Sequence, residues 1–165
     1  MTKTLNNNIV IILLCACFFI SCDKKRVFDT YTSVSTSGWE ANSTIDFNFE
    51  VNDTIQPKNL FINIRNNNDY DYSNLFLITE LNFPDGQKII DTLEYDMADK
   101  TGKFLGTGFS EIKENKLFYK ENITFPATGN YTFKVSQAMR KNGKIKGIAV
   151  LEGITEVGFR IEKTQ

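Results

Sequence analysis

The sequence predicts an all-β chain: a single antiparallel β-sandwich, immunoglobulin-like or jelly-roll-like. Three observations carry this expectation. Ile45-Asp46-Phe47-Asn48-Phe49-Glu50-Val51 alternates apolar and polar without a break, the period-two mark of a half-buried strand. No sustained 3.6-residue apolar pattern appears after residue 22. About eight short segments of strand composition are separated by turn residues at regular spacing, as in an antiparallel sandwich. Phenylalanine is abundant, 14 of 165 residues, which suits a core filled by large rings.

The chain opens on Lys3, the polar Asn6-Asn7-Asn8 and an apolar run from Ile9 to Ile20. The run is shorter than the roughly 20 apolar residues that span a bilayer. It has the charged start, apolar middle and small-residue end of an export signal. Phe19-Ile20-Ser21-Cys22 looks like a loose bacterial lipobox, in which the cysteine thiol is diacylated and becomes the new N-terminus. Residues 1–21 are thus expected to leave as a lipoprotein signal peptide, 22–26 to form a lipidated tether, and 27–165 to fold as the sandwich. Several acyl chains on Cys22 anchor stably where a single chain is marginal. Asp23-Lys24-Lys25-Arg26 reads as a solvated linker, although a short basic tether can also lie against anionic headgroups.

The formal net charge is −1, and the signal removes one basic residue and no acidic one. Neither sign dominates, so nucleic acid is not an expected partner. Cys15 and Cys17 leave with the signal and only Cys22 remains, so no disulfide is expected. The chain has no histidine. That removes Ser-His-Asp and Cys-His catalysis and the commonest zinc and copper ligand sets. No metal, cofactor or small-molecule substrate is expected.

Taken in order, Val27 to Val34 reads as a first strand, and Ser35-Thr36-Ser37-Gly38 as a turn. Trp39, the one tryptophan, is expected to cap the core. The alternating strand from Ile45 ends at Asn52-Asp53 and Pro57. Asn59 to Arg65 follows, with Leu60, Ile62 and Ile64 on one face and Phe61 on the other. Asn66 to Asp69 favours a turn. Asn74 to Phe83 is apolar on both faces at Leu75-Phe76-Leu77-Ile78, which places it centrally in its sheet. Pro84-Asp85-Gly86 turns the chain, because proline presets φ and glycine accepts φ > 0. Gln87 to Tyr95 returns beside it, so Asn59 to Tyr95 reads as a three-stranded meander.

Asp99 to Gly108 reads as a long loop, and Lys113 to Lys120 as a strand or a helical turn. Ile123-Thr124-Phe125 reads as a short strand stopped by Pro126. In Gly129-Asn130-Tyr131-Thr132-Phe133-Lys134-Val135 the apolar residues alternate inward. The Gly-x-Tyr-x-Phe order resembles the tyrosine corner of immunoglobulin-like sandwiches, the plain alternative being a strand after a turn. Lys141-Asn142-Gly143 is a polar turn, and Val157, Phe159 and Ile161 form a last alternating strand.

Candidate chemistry is sparse. Asn66 to Asn74 is the densest polar cluster. Asp69, Asp71 and the Asn amides are oxygen ligands of the kind calcium takes. The run lacks the closing glutamate of a calcium loop, and reads as a polar turn. Glu94, Asp96 and Asp99 are close in sequence, as a glycosidase-like carboxylate pair would require, but nothing fixes their separation, and the default is a charged strand face. Gly102 to Gly108 is glycine-rich without the Gly-Lys-Ser/Thr order of a phosphate loop. Asp53-Thr54-Ile55 and Asp91-Thr92-Leu93 resemble a three-residue O-glycosylation motif of exported Bacteroidota proteins, but the match is short and the plainer reading is two ordinary strand-edge threonines. Arg65, Asn66, Asn67, Asn68, Tyr70, Tyr72 and Asn74 bring together Arg and Tyr, the residue types that dominate binding hot spots, around a turn. They are the candidate partner-binding surface. The structural alternative folds both tyrosines back onto the sandwich and pairs Arg65 with a carboxylate.

Several strings, in order along the chain, carry a resemblance. They are Asn63-Ile64-Arg65, Tyr70-x-Tyr72-x-Asn74-Leu75, Asp91-Thr92-Leu93, Ala98-Asp99, Gly102-Lys103, Gly129-x-Tyr131, Gln137-Ala138-Met139-Arg140, Gly153-Ile154 and Val157-Gly158. Together they resemble the GldH family of gliding motility lipoproteins of Bacteroidota. The resemblance implies an exported lipoprotein needed for gliding, connected with the type IX machinery that delivers adhesins, and it implies no catalytic residues. Partners are then the membrane, through acylated Cys22, and other gliding or secretion envelope proteins. The alternative is a lipid-anchored glycan-binding sandwich serving nutrient uptake, which needs an exposed aromatic platform. Surface-exported lipoproteins of this phylum typically carry an acidic stretch after the cysteine. The mostly basic Asp23 to Arg26 implies instead an outer-membrane lipoprotein facing the periplasm.

The anchor is directly testable. Cys22→Ser is expected to release the protein from the membrane fraction and to change its mature mass. A variant that stays in the membrane at unchanged mass would remove the anchor.

Overall fold

The computed structural model describes residues 23–108 and 110–164. Cys22 and the expected signal lie outside the described residues. Among the described residues ten strands follow in order: β1 (Arg26–Ser33), β2 (Trp39–Glu40), β3 (Ile45–Val51), β4 (Lys58–Asn66), β5 (Asn74–Asn82), β6 (Lys88–Asp96), β7 (Lys113–Ile123), β8 (Gly129–Gln137), β9 (Val150–Leu151) and β10 (Ile154–Lys163). Eight of them form two four-stranded sheets, ordered β1-β10-β4-β7 and β3-β8-β5-β6, and β2 pairs with β9 in a short ladder. Every pairing in the two large sheets is antiparallel.

The pairings are nested. β1 meets β10, β3 meets β8, β4 meets β7 and β5 meets β6. One long antiparallel ribbon, rolled so that β10 also meets β4 and β8 also meets β5, gives this order. It is the double-sheet arrangement of a jelly roll, which decides between the two sandwich forms the sequence allowed.

Alternation fixes which side of each strand faces the other sheet. β3 buries Ile45, Phe47, Phe49 and Val51 and exposes the residues between them. β8 buries Tyr131, Phe133 and Val135, and β10 buries Val157, Phe159 and Ile161. The rings meet at the centre: Phe133 stacks on Phe159 with centroids 4.1 Å apart and an interplanar angle of 15°. Phe47, Phe49 and Tyr119 surround them. The Tyr131 hydroxyl donates to the Ala127 carbonyl at 2.8 Å, the bond expected of a tyrosine corner, here in a jelly roll. Trp39 is 1% exposed, as expected of a core cap, and its indole N–H donates to the Ser43 carbonyl at 3.0 Å.

Two expectations are corrected. Asn59 to Tyr95 is not a three-stranded meander. Only β5 and β6 pair, while β4 lies in the other sheet between β10 and β7. β4 needs that central place because it is covered on both faces, with Leu60, Ile62 and Ile64 inward and Phe61 and Asn63 outward, all buried. Ile123 ends β7, and Phe125 enters the core from the loop beyond it rather than from a strand of its own. Residues 23–26 are all exposed, as a solvated linker is, and are also tied to β10. Asp23 accepts from the Lys25 amide and from the Arg160 guanidinium, and the Lys163 amide donates to the Lys25 carbonyl at 2.9 Å. Lys113 to Lys120 resolves as strand. β5 is central as expected, with Ile78 on its outer face 42% exposed.

The connections sort by end. At the end where residue 23 lies, 52–57, 83–87 and 124–128 join strands briefly. At the opposite end, 34–44, 67–73, 97–112 and 138–153 carry the longer connections.

Phe133→Ala is expected to cost about 3–5 kcal/mol by leaving a cavity against Phe159, a large share of the roughly 5–15 kcal/mol typical of a domain. Chemical denaturation of the purified domain measures it. An unchanged midpoint would mean that the ring stack does not hold the sheets together.

Candidate functional site

The far end is organised by the crossing from β4 to β5. Asn66, fully buried, closes β4: its side-chain carbonyl accepts from Asn115 Nδ2 at 2.9 Å and its amide donates to the Asn67 carbonyl. Asn67 then folds an Asx turn. Its side chain accepts from the Asp69 amide at 3.0 Å and donates to the Asp69 carboxylate at 2.8 Å. Tyr70 turns inward at 3% exposure, and its hydroxyl donates to the Asn74 carbonyl at 2.6 Å. Burial pushes that phenol's pKa well above the ordinary tyrosine range. Tyr72 packs edge-on against Tyr70, with centroids 5.7 Å apart, and Phe104 lies beyond. Gly153, at φ +82°, lies under this turn, where a Cβ would sit 2.1 Å from the Tyr70 amide nitrogen. Only glycine lets the two backbones approach so closely.

Arg65 points the other way, onto the outer face of the β1-β10-β4-β7 sheet. Its Nε donates to Glu114 at 3.0 Å and its Nη1 to Glu156. Its guanidinium lies 4.3 Å from the centre of the Tyr31 ring. The Glu156 bond, followed by Glu114, outweighs burial and raises the guanidinium's pKa above its ordinary value. Tyr31 lies across the sheet: its hydroxyl donates to Glu114 at 2.8 Å and accepts from Asn63 Nδ2 at 2.8 Å. Burial, then the Glu114 bond, pushes this phenol up as well. The ring crosses β10 at Gly158, where a Cβ would meet it at 2.8 Å. A second cluster continues along the face, with Arg160 donating to Asp29, Glu162 and Asp23, and Lys116 donating to Glu162.

The seven candidate residues are therefore divided. Asn66 and Tyr70 serve the interior, and Arg65 serves the outer-face network. Asn68 is exposed, and Asn67, Tyr72 and Asn74 are half-buried at the rim. Asn74 also donates to Glu94 at 2.7 Å. Asn67 and Asp69 border a cleft of about 510 Å³ with Ser35, Gly38, Glu152 and Thr155. Among the described residues no three His, Cys, Asp or Glu side chains are placed to hold a metal ion. Asp99, considered with Glu94 and Asp96 as a carboxylate set, binds Thr101 and the Lys103 amide of its own turn, and the Thr101 hydrogen bonds hold its pKa below the usual carboxylate range. Thr54 lies in a bend beside Asp53, whose carboxyl the Lys58 ammonium and two loop amides hold down to about 2. Thr92 is exposed on β6.

The sequence reading singled out neither Tyr31 nor Glu114 nor Glu156, and it met Asn63 only within the string Asn63-Ile64-Arg65. One signal was present: Gly158 interrupts a strand of Val157, Phe159 and Ile161, and a strand-interior glycine marks a close approach.

Comparison with known proteins gives four findings. The family model described as GldH lipoprotein matches residues 26–161. A gliding motility lipoprotein GldH homolog of Christiangramia forsetii is 54% identical over 157 residues, covering 95% of this chain and 96% of that one. Gliding motility lipoprotein GldH of Flavobacterium johnsoniae is 50% identical over 153 residues, covering 93% and 94%. Among solved structures, a chain of the infectious bursal disease virus Gx strain aligns with a TM-score of 0.41 at 16% identity, over 87% of this chain and 33% of that one.

Gly158→Ala is expected to lift Tyr31 off the sheet and cost about 1–3 kcal/mol, the usual range for overpacking. In a Tyr31→Ala background the same change should cost almost nothing. Equal costs in the two backgrounds, read from denaturation midpoints, would show that the ring and the glycine do not depend on each other.

Proposed function

Since this chain belongs to the GldH lipoprotein family, we propose that it is a non-enzymatic envelope component of gliding motility that works with the type IX secretion machinery through protein–protein contacts. Its relatives are named gliding motility lipoproteins, and a lipoprotein is held at the envelope by its lipid. We place that lipid on Cys22 and the protein on the outer membrane, facing the periplasm. The working surface is the far-end rim formed by Asn67, Asn68, Tyr72 and Asn74. The observation that carries this reading is the sorting of connections: the longer loops gather at the end away from residue 23, and so away from an anchor at Cys22. Loops held on a rigid scaffold are where binding residues concentrate. The carboxylates near the rim support a binding role over catalysis, since Glu114 and Glu156 both engage Arg65 and Glu94 engages Asn74. A glycan platform is less well supplied, because Trp39 and Tyr70 are both turned into the core.

Tyr72→Ala combined with Asn68→Ala is expected to lower the melting temperature less than Tyr70→Ala does, while abolishing gliding and co-purification of envelope partners. Tyr70→Ala serves as the contrasting variant, expected to lower the melting temperature because that ring is buried. Normal gliding and normal co-purification in the Tyr72/Asn68 variant would remove the rim as the docking surface.

A further inference from the structure

The far end carries a second feature that the candidate rim does not include. Between Gln137 and Glu152 the chain holds Arg140, Lys141, Lys144 and Lys146 and no carboxylate, in a protein whose net charge is −1. The segment is a finger. Arg140 and Gly147 bridge at its base, the Ile148 amide donates to the Met139 carbonyl at 2.8 Å, and the Lys144 amide closes the tip turn on the Lys141 carbonyl at 3.0 Å. Below the bridge it is pinned firmly. Met139 is 2% exposed and its sulfur accepts from the Phe76 amide. Gln137, 4% exposed, accepts from the Met139 amide and donates to the Ile148 carbonyl.

Above the bridge everything faces solvent. None of the four cations makes an ion pair among the described residues. Ile145, between Lys144 and Lys146, is 94% exposed. A groove of about 460 Å³ runs beside the finger, with Ala41, Ala149 and Val150 supplying apolar lining, Lys146 on the finger side and Glu40 as its carboxylate.

We propose that the finger Arg140–Gly147, with the groove beside it, is a docking element for an acidic segment of a partner protein that also carries an apolar side chain. The proposal rests on the protein-contact reading above and adds both a place and a partner chemistry. Four like charges on a short turn repel one another, and a carboxylate-rich strip relieves that repulsion while steering encounter. Ile145 and the groove supply the apolar contact that lets charge pairs be partly desolvated. A membrane is the less fitting anionic surface. β8, at about 3.3 Å per residue, sets the finger roughly 30 Å from the end at which residue 23 lies.

The test uses the full-length acylated protein in detergent and a labelled probe peptide alternating Glu with Leu. The probe is expected to bind, to weaken about tenfold when Lys141, Lys144 and Lys146 are all changed to Glu, and to weaken as salt is raised. The three Lys→Arg changes should retain binding, and Ile145→Ser should weaken it. All these positions are exposed, so the melting temperature should not move. A photo-crosslinker at position 145 in gliding cells should label a protein segment rich in Asp and Glu. Equal binding of a probe with Gln for Glu, indifference to the triple Glu variant, or crosslinks only to lipid or to a second copy of this chain would overturn the proposal. If the Tyr72/Asn68 variant loses its partners while the triple Glu variant keeps them, the finger fails and the rim stands. Loss in the triple Glu variant alone leaves the finger and removes the rim.

Discussion

The stack of Phe133 on Phe159 is the contact on which the rest depends, because it joins the centres of two sheets that share no long strand pairing. Phe133 comes from the β3-β8-β5-β6 sheet and Phe159 from the other, and the rings of Phe47 and Phe49 touch the same cluster. Among the described residues there is no cysteine to brace them. Packing of large rings must therefore set the spacing and angle of the layers. One open side of the sandwich is laced by polar groups as well. The Tyr95 hydroxyl donates to the Phe118 carbonyl at 2.6 Å, and Tyr119 and Lys120 both donate to Asp91. These bonds tie the edge strands β6 and β7 to each other and occupy one of the main-chain acceptors that an edge strand otherwise offers to another chain.

The two faces of the β1-β10-β4-β7 sheet follow different chemistry. The inner face is apolar and buried through the middle of β10 and β4, while the outer face is covered by Tyr31, Arg65 and the charged clusters around Arg65 and Arg160. Central strands of such a sheet still need their outer faces shielded, and Phe61, at 4% exposure, is covered by Phe118 and by the Lys116 ammonium 4.1 Å from its centroid. Much of the polar decoration on this side thus acts as a lid over β4. At the far end, loops rather than strands present side chains.

What could be read from the sequence divides along the range of the interaction. Alternation in Ile45 to Val51 and in Tyr131 to Val135 is local, and it gave both the strands and their buried faces. Gly129-x-Tyr131 likewise pointed to a bond from the Tyr131 hydroxyl to nearby backbone, which Ala127 supplies. The partner of β4 was not legible. An apolar strand with two covered faces fits beside several others, and pairing with β7 and β10 depends on residues far along the chain. At the site, the polar cluster was located correctly as a turn. The inward path of Tyr70 depends on Gly153, and the use of Arg65 depends on Glu114 and Glu156, none of them neighbours in sequence. Hot-spot composition marks residue types, and burial then decides which of them remain available.

The nested pairing also imposes an order in time. β10 is the last of the described strands to leave any channel that delivers the chain from its N-terminus, and it is the partner of both β1 and β4. Until it arrives, one sheet is split into a lone β1 and a β4–β7 pair, and Phe133 has no Phe159 to stack on. Contacts this distant in sequence make for slow assembly. Through that interval the apolar faces of β3, β4 and β8 lie open to neighbouring chains, where aggregation competes with folding. The same geometry keeps the chain threadable: a polypeptide whose first strand waits for its last cannot lock into its native form while part of it is still in transit.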